Sequence, residues 1–317
     1  MNNHLSRRNL LKSVSGIPLL AFPVSAFGRG ISTQTDPLAF QLSLNAYSFN
    51  EPLRNGSMSL EDLLAFTADH AFPALDLTAY YFPTYPKVPD DAYLYRIKRE
   101  AHRKGVVFSG TGVRNNFTQP DPQKRQADRE LVYQWIDAAV KLGAPVVRIF
   151  AGPAIPEDQS WDETAAWALD DIRQCVEYGK QRGVIVALQN HNEFITTVTQ
   201  VKHFMKAVDS EWFGLMLDIG SYRTADPYDE ISQTTSYAVN WQIKEDVYVR
   251  EKETEPDLMK LLSILHLSGY RGYANLETLG PGDPYQKVPD FLAKVRTAMT
   301  DYTAGLSREN LLPQSNE

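Results

Sequence analysis

The chain has 317 residues, of which 43% are hydrophobic and 22% charged, a balance that excludes disordered and collagen-like proteins. Thirty-nine acidic against 32 basic residues give a formal net charge of −7, which argues against a nucleic-acid partner or an anionic membrane surface. Cys175 is the single cysteine, so an intrachain disulfide and a metal site of several cysteines are both excluded.

The first 26 residues have the pattern of an export signal. They contain three basic residues and no acidic one, then an apolar run over 14–22 and small residues suited to cleavage at 24–26. The apolar run is shorter than the roughly 20 residues of a membrane-spanning helix. Residues 6–12 (Ser-Arg-Arg-Asn-Leu-Leu-Lys) resemble the twin-arginine motif. We therefore expect a periplasmic protein without a membrane span after cleavage; a general secretory signal or an uncleaved anchor is the alternative.

Short apolar runs alternate with longer amphipathic segments along the rest of the chain. The short runs predict strands near 42–48, 74–78, 106–110, 146–150, 184–188, 213–217, 238–243 and 273–276. Helical periodicity lies between them, for example over 59–70, 93–104, 125–142, 162–182 and 257–267. This alternation predicts a single (β/α)8 TIM barrel over 39–304, with a linker at 27–38 and a tail at 305–317. A doubly wound sheet is the alternative, but its glycine-rich fingerprint is missing after the first strand.

Local signals mark several of the predicted helix ends. Ser59 and Ser160 are each followed three residues later by an acid, the pattern of a capping box. Gly105, Gly143 and Gly183 stand between a helix and the next strand, where the left-handed conformation that glycine tolerates lets the chain reverse.

Polar residues collect at the predicted carboxyl ends of the strands, where a barrel of this kind has its active site. They are Asn45, Tyr47, Asp76, Arg114, Asn115, Asn116, Arg148, Gln189, His191, Asp218, Gln242, Lys244 and Glu277. A strand buried on both faces is expected to be apolar, so polar groups at its end need a partner or a ligand. Buried hydrogen bonding is the alternative for any one of them, whereas the whole set favours a functional site.

Four of these strand ends carry short motifs in a fixed order. They are 186–191 (Val-Ala-Leu-Gln-Asn-His), 217–220 (Leu-Asp-Ile-Gly), 242–245 (Gln-Ile-Lys-Glu) and 273–277 (Tyr-Ala-Asn-Leu-Glu). From about residue 42 to residue 298 the chain resembles the xylose-isomerase-like barrel superfamily of sugar epimerases and isomerases. The resemblance implies a small-molecule carbohydrate substrate and leaves the particular sugar, the stereocentre and the oligomeric state open.

The resemblance also implies one divalent metal, held by Glu, Asp, His and Glu at four strand ends. Asp218 and Glu277 match that pattern, but Gln189 stands in place of the glutamate and Gln242 in place of the histidine. Amide oxygens bind hard cations, so the four residues form a candidate site for Mn²⁺, Mg²⁺ or Ca²⁺ of reduced affinity. The alternative is that the metal has been lost and the amides hydrogen-bond the sugar.

Three residues are the candidate catalytic groups. A glutamine cannot accept a proton, so Glu277 is the expected general base. Lys244 is expected to stabilise an enolate or act as a second acid, and His191 to shuttle a proton. The alternatives are a salt bridge from Lys244 to an acid at 245 or 246, and a supporting hydrogen bond for His191.

The expected substrate-binding residues are Asn45, Tyr47, Asn116, Arg148 and Tyr81. Tyr81 belongs to an aromatic loop after the second strand that is suited to cover a sugar ring. Packing of this loop on the barrel rim or on a neighbouring subunit is the alternative.

The expected function is that of an exported carbohydrate isomerase or epimerase that transfers a proton next to a carbonyl. A lyase that eliminates the aglycone from 3-keto-glycosides is an alternative, since one strong base suffices for elimination. A non-catalytic sugar-binding protein is a second alternative. The endonuclease branch of the superfamily is disfavoured, because its metal cluster needs several histidines absent here and the net charge has the wrong sign.

Overall fold

Eight parallel strands close into a barrel, and neighbouring strands follow the order of the chain. In this computed structural model, residues 38–191 and 194–309 are described. The strands are β1 (Gln41–Asn45), β2 (Ala74–Asp76), β3 (Val107–Gly112), β4 (Val146–Ile149), β5 (Ile185–Gln189), β6 (Phe213–Asp218), β7 (Ala238–Lys244) and β8 (Tyr273–Glu277). β1 pairs in parallel with both β2 and β8, which closes the sheet. The predicted single (β/α)8 TIM barrel is confirmed.

Helices alternate with the strands along the chain, and successive helices pack side by side around the barrel. They are α1 (Asn50–Asn55), α2 (Leu60–Asp69), α3 (Asp91–Arg103), α4 (Pro122–Leu142), α5 (Trp161–Arg182), α6 (Val198–Val208), α7 (Pro227–Thr234), α8 (Leu258–Leu267) and α9 (Pro284–Glu309). The last helix continues past residue 304, where we predicted the barrel to end. A small antiparallel hairpin of Val247–Val249 and Lys252–Thr254 follows β7 and was not predicted. Its strands have three residues each, too few to show an alternating pattern.

The predicted export signal at 1–26 and nearly all of the linker lie outside the described residues. None of the helices that the structure does describe is both long and apolar enough to cross a bilayer.

The predicted helix ends are confirmed. Ser59 and Ser160 each form a reciprocal capping box, with Asp62 and Glu163 respectively. Gly105, Gly143 and Gly183 have φ angles of 72°, 83° and 69°, so each turn uses the left-handed region that disfavours other residues.

The interior of the barrel contains a layer of buried hydrogen-bonding side chains, which we call the polar belt: Ser43, Ser109, Asn240 and Asn275. Ser109 Oγ lies 2.8 Å from Ser43 Oγ and donates to Asn275 Oδ1 at 2.9 Å. Asn240 Nδ2 donates to the Ser109 carbonyl at 3.0 Å, and Asn275 Nδ2 to the Trp241 carbonyl at 3.0 Å. These bonds satisfy groups that would otherwise be costly to bury.

Helix α5 packs closely on β5 at Gly179, where a Cβ would lie 2.6 Å from the Val184 carbonyl oxygen and 3.0 Å from Val186 Cγ2. We expect Gly179→Ala to lower the free energy of unfolding by about 1–3 kcal/mol through overpacking. Gly305→Ala in α9 is the matched control, because no described atom beyond its chain neighbours and the backbone of its own helix lies within 4 Å of its Cβ position. The control should gain about 0.5–1 kcal/mol from helix propensity. Urea unfolding of both variants checks this, and equal stabilities would contradict it.

Candidate active site

A cavity of about 1020 Å³ opens at the carboxyl ends of the strands. Nine of the eleven residues for which we predicted a catalytic, substrate-binding or metal-binding role line it: Asn45, Tyr47, Asn116, Arg148, Gln189, His191, Gln242, Lys244 and Glu277. Side chains without a predicted role also line it, among them Tyr80, Phe150, Arg223 and Tyr248. The barrel thus brings together residues that are more than 200 positions apart in the sequence.

Lys244 lies at the centre of the strand ends, between two carboxylates. Its Nζ is 2.7 Å from Asp218 Oδ2 and 3.4 Å from Glu277 Oε2. Asp218 is 0% exposed and Glu277 4% exposed, so both ion pairs are sheltered from solvent. Asp218 is not itself part of the cavity lining; it lies behind Lys244 and holds it.

The two glutamines complete this cluster. Gln189 Nε2 donates to Asp218 Oδ2 at 2.8 Å and more weakly to Gln242 Oε1 at 3.4 Å. Both glutamines are buried. The four residues of the candidate metal site therefore converge, as expected, but their polar atoms bond to one another and to Lys244.

Asn190 explains how Asp218 is oriented, a role that the sequence motif alone did not indicate. Its side chain accepts from the Asp218 N–H at 2.8 Å and donates to the Asp218 carbonyl at 2.9 Å. These two bonds tie the end of β5 to the end of β6. The carboxylate of Asp218 is further fixed by the Gly220 N–H, which donates to Oδ1 at 2.9 Å.

The surroundings shift the pKa values of both Glu277 and Lys244. Burial raises the pKa of Glu277 above its ordinary value, and the nearby Lys244 ammonium offsets this only in part. Burial alone would lower the pKa of Lys244, but the charges of Asp218 and Glu277 outweigh it, so the pKa of Lys244 is raised. The cluster therefore pairs a carboxylate of increased basicity with an ammonium whose charged form is stabilised by its two neighbours.

The structure does not pair Lys244 with the neighbouring acids that we weighed as alternatives. Glu245 instead forms an ion pair with Lys287 at 3.0 Å and accepts from the Leu279 N–H. Side chains alternate along a strand, so Lys244 shares its face with Gln242 and not with Glu245.

Arg148 is a buried cation on the side of the cavity formed by β3 and β4. Its guanidinium donates to the Val113 carbonyl at 2.6 Å and to the Tyr80 hydroxyl at 3.2 Å. Gly112 makes room for it, because a Cβ there would lie 2.8 Å from Arg148 Nε. The group is thereby held at the wall of the cavity, where its remaining N–H groups can bind substrate oxygens.

The structure places Tyr81 away from the cavity lining. It is 8% exposed, and its hydroxyl donates to Asn50 Oδ1 at 3.0 Å. Tyr80 takes the position we expected for Tyr81, with the Arg114 guanidinium 4.7 Å from its ring centre. The two tyrosines follow one another in a short 3₁₀ turn, and their side chains point in different directions. The composition of the loop alone does not show which of the two faces the cavity.

The other predicted binding residues line the cavity, with some of their polar atoms already used. Asn45 accepts from the Tyr47 N–H at 2.8 Å and donates weakly to Asp76. Asn116 Oδ1 accepts from the Thr118 N–H at 3.0 Å. His191 is partly exposed, and its ring packs edge-to-face on Phe150, with centres 5.0 Å apart.

The residues at the strand ends do not fit a divalent metal as they are arranged. Among residues 38–191 and 194–309, no three His, Cys, Asp or Glu side chains form a cluster that could hold a metal. Both carboxylates of the candidate site are paired with Lys244. A divalent ion bound by these carboxylates would lie next to that ammonium, and repulsion between the like charges would offset part of its attraction to the carboxylates.

Asp76 offers a test of the charges beneath the cavity. Burial raises its pKa from 3.8 to about 6, with Arg148 opposing the shift and Glu277 adding to it. The folded state therefore binds this proton more tightly than the unfolded state, and the associated stability is lost as the pH rises through about 6.

We expect the Asp76→Asn variant not to lose this stability as the pH rises, because an asparagine cannot ionise. Its stability relative to the wild type should rise by about 2 kcal/mol between about pH 4.5 and 7.5. Urea unfolding at the two pH values measures this difference. The exposed Asp69→Asn is the control and should change stability by less than about 0.5 kcal/mol. A pH-independent difference for Asp76→Asn would contradict the prediction.

Comparison with known proteins agrees with the fold. Residues 64–295 match the family of xylose isomerase-like TIM barrels, and the chain belongs to this family. Comparison with curated proteins finds no match.

Several solved structures share the fold at low sequence identity. An L-ribulose 3-epimerase is 14% identical, with a TM-score of 0.70 over 87% of this chain and 100% of that chain. The 3-keto-D-glucoside 4-epimerase of E. coli is 14% identical, with a TM-score of 0.62 over 82% and 99%. A xylose isomerase-like protein from Mycobacterium smegmatis in complex with magnesium is 15% identical, with a TM-score of 0.65 over 84% and 99%.

Proposed function

We propose that the chain is a carbohydrate epimerase or isomerase that moves a proton on the carbon next to a carbonyl group. The observation that carries this proposal is the Glu277–Lys244 pair, a buried carboxylate 3.4 Å from an ammonium, with both side chains at the cavity. Epimerases of sugars and keto-sugars among the structures of similar fold support the substrate class.

Glu277 is the base in this proposal. Its carboxylate takes the proton from the carbon, and the electron pair of the broken C–H bond forms an enolate whose negative charge rests on the former carbonyl oxygen. Lys244 stabilises that oxygen, since an ammonium has three N–H donors and the two carboxylates account for two of them. Gln189 takes no proton and serves to orient Asp218.

Inversion at the carbon requires a proton from the opposite face. His191 lines the same cavity, and an imidazole exchanges protons readily near neutral pH. We assign it this return step. In an isomerase the proton returns to the former carbonyl carbon, the hydroxyl on the deprotonated carbon gives up its proton to become the new carbonyl, and the former carbonyl oxygen takes up a proton to become a hydroxyl.

A lyase acting on 3-keto-glycosides is the second candidate, favoured by the size of the cavity. A volume of about 1020 Å³ stands at the upper end for small-ligand sites and leaves room for a glycoside larger than one sugar ring. In that reaction Glu277 removes the proton at C2, and the resulting enolate expels the aglycone oxygen from C1. The expelled oxygen takes a proton from water or from His191.

Proton NMR in ²H₂O with a panel of ketohexoses and 3-keto-glycosides distinguishes these reactions. Deuterium at the carbon next to the carbonyl, together with a new stereoisomer or a shifted carbonyl, supports an epimerase or isomerase. Free aglycone with an unsaturated keto-sugar supports the lyase. Saturable sugar binding by calorimetry without exchange or elimination would overturn both and leave a sugar-binding protein.

The proposed place of action is the periplasm, because residues 1–26 carry a twin-arginine-like signal. Glycosides and free sugars suit that location.

A further inference from the structure

The ammonium of Lys244 lies where the four residues of the candidate metal site converge. We propose that this ammonium takes the place of the divalent ion, so that the centre is metal-independent and Lys244 is its resident cation. The catalytic part of this inference rests on the proposed function, but its test requires no substrate.

The first support is that the oxygens of Asp218 are already occupied. Oδ2 lies 2.7 Å from Lys244 Nζ and accepts from Gln189 Nε2 at 2.8 Å. Oδ1 accepts from the Gly220 N–H at 2.9 Å. A metal on Oδ2, the oxygen that contacts both Lys244 and Gln189, would have to displace one of these two buried donors, which would then lose its partner.

The second support is the space that the chain leaves for the lysine stem. A Cβ on Gly220 would lie 3.0 Å from Lys244 Cδ and 3.2 Å from the Asp246 carbonyl oxygen. The side chain of Lys244 can therefore approach the loop after β6 this closely only because residue 220 is a glycine and has no Cβ. The position of the ammonium follows from the backbone around it as well as from its ion pairs.

The third support is charge. Asp218 and Glu277 supply two negative charges, while Gln189 and Gln242 supply none. A divalent ion beside Lys244 would bring three positive charges against these two. With the lysine alone, one negative charge remains at the centre, and Glu277 keeps its capacity to accept a proton.

The test is metal binding by the purified chain. We expect the wild type to contain less than about 0.1 equivalents of metal by elemental mass spectrometry. Its melting temperature should be unchanged by 1 mM Mn²⁺, Mg²⁺ or Ca²⁺ and by EDTA. Lys244→Met removes the charge but keeps most of the stem, so Mn²⁺ should then raise the melting temperature and bind at least about tenfold more tightly than to the wild type.

Lys287→Met is the matched control, because it removes a lysine at the cavity rim that pairs with Glu245. It should show no metal-dependent shift. About one metal per wild-type chain, or an EDTA-sensitive melting temperature, would overturn the proposal even if Lys244→Met does not fold. The proposal would also be overturned if Lys244→Met folds but Mn²⁺ neither binds to it nor raises its melting temperature. Neither result depends on whether the chain turns over a keto-sugar.

Discussion

Glu277→Gln is expected to lower the rate of proton exchange on a keto-sugar by about 10³-fold while the protein stays folded. Glutamine has the same shape and can still accept a hydrogen bond from Lys244, but it cannot take a proton. Lys244 keeps its shorter ion pair, 2.7 Å to Asp218. The measurement is deuterium incorporation by NMR with the substrate identified in the panel, alongside circular dichroism to confirm the fold.

Glu245→Gln is the matched control for this variant. Glu245 is the neighbouring glutamate at the cavity rim, 3.0 Å from Lys287, and it does not contact Lys244 in any ion pair that the structure describes. We expect it to retain exchange within about threefold of the wild type. If Glu277→Gln kept more than about a tenth of the wild-type rate, Glu277 would not be the base.

The largest loss of stability is expected for Asp171→Ala, at about 3–5 kcal/mol. Asp171 is 3% exposed and joins α5 to α4 by accepting from Arg125 Nε at 2.9 Å and from Arg129. Removal of the carboxylate leaves two largely buried guanidinium groups without their counter-charge. The free energy of unfolding in urea, compared at constant slope, measures the loss.

Asp170→Ala is the control for Asp171→Ala, because Asp170 is the adjacent acid and forms an exposed pair with Arg173. It should change stability by less than about 0.5 kcal/mol. Arg125 also donates to the Gln119 and Pro120 carbonyls at 2.8 and 3.0 Å. The loss of Asp171 should therefore loosen the loop that carries Asn116, and equal effects of the two variants would contradict this account.

The barrel could be predicted from the sequence because its signals are local. Apolar runs of strand length, helix-start patterns at Ser59 and Ser160, and glycines at helix ends each act within a few residues. The strand order then follows from short connections and parallel pairing. The hairpin after β7 escaped prediction because its strands are short and one of them is fully exposed.

The sequence allowed us to predict which residues form the site, but not which of them contact one another. Strand ends meet at one face of a barrel, so Gln189, Asp218, Gln242 and Glu277 were expected together. The partners of Lys244 could not be predicted from sequence neighbours, because the carboxylates that hold it come from two other strands. In the same way, whether Tyr80 or Tyr81 faces the cavity depends on the path of one turn and not on its composition.

The polar belt lies directly beneath the site. Ser43, Asn240 and Asn275 precede Asn45, Gln242 and Glu277 by two residues, and residues two apart share a face of a strand. The belt links β1 and β8 to β3 through Ser109, so it ties strands that are not neighbours across the interior. The belt therefore joins these strands from inside the barrel, and it holds in place the strand ends that carry Asn45, Gln242 and Glu277. Loops above the cavity can then differ in sequence and length while the hydrogen bonds beneath Gln242 and Glu277 stay the same.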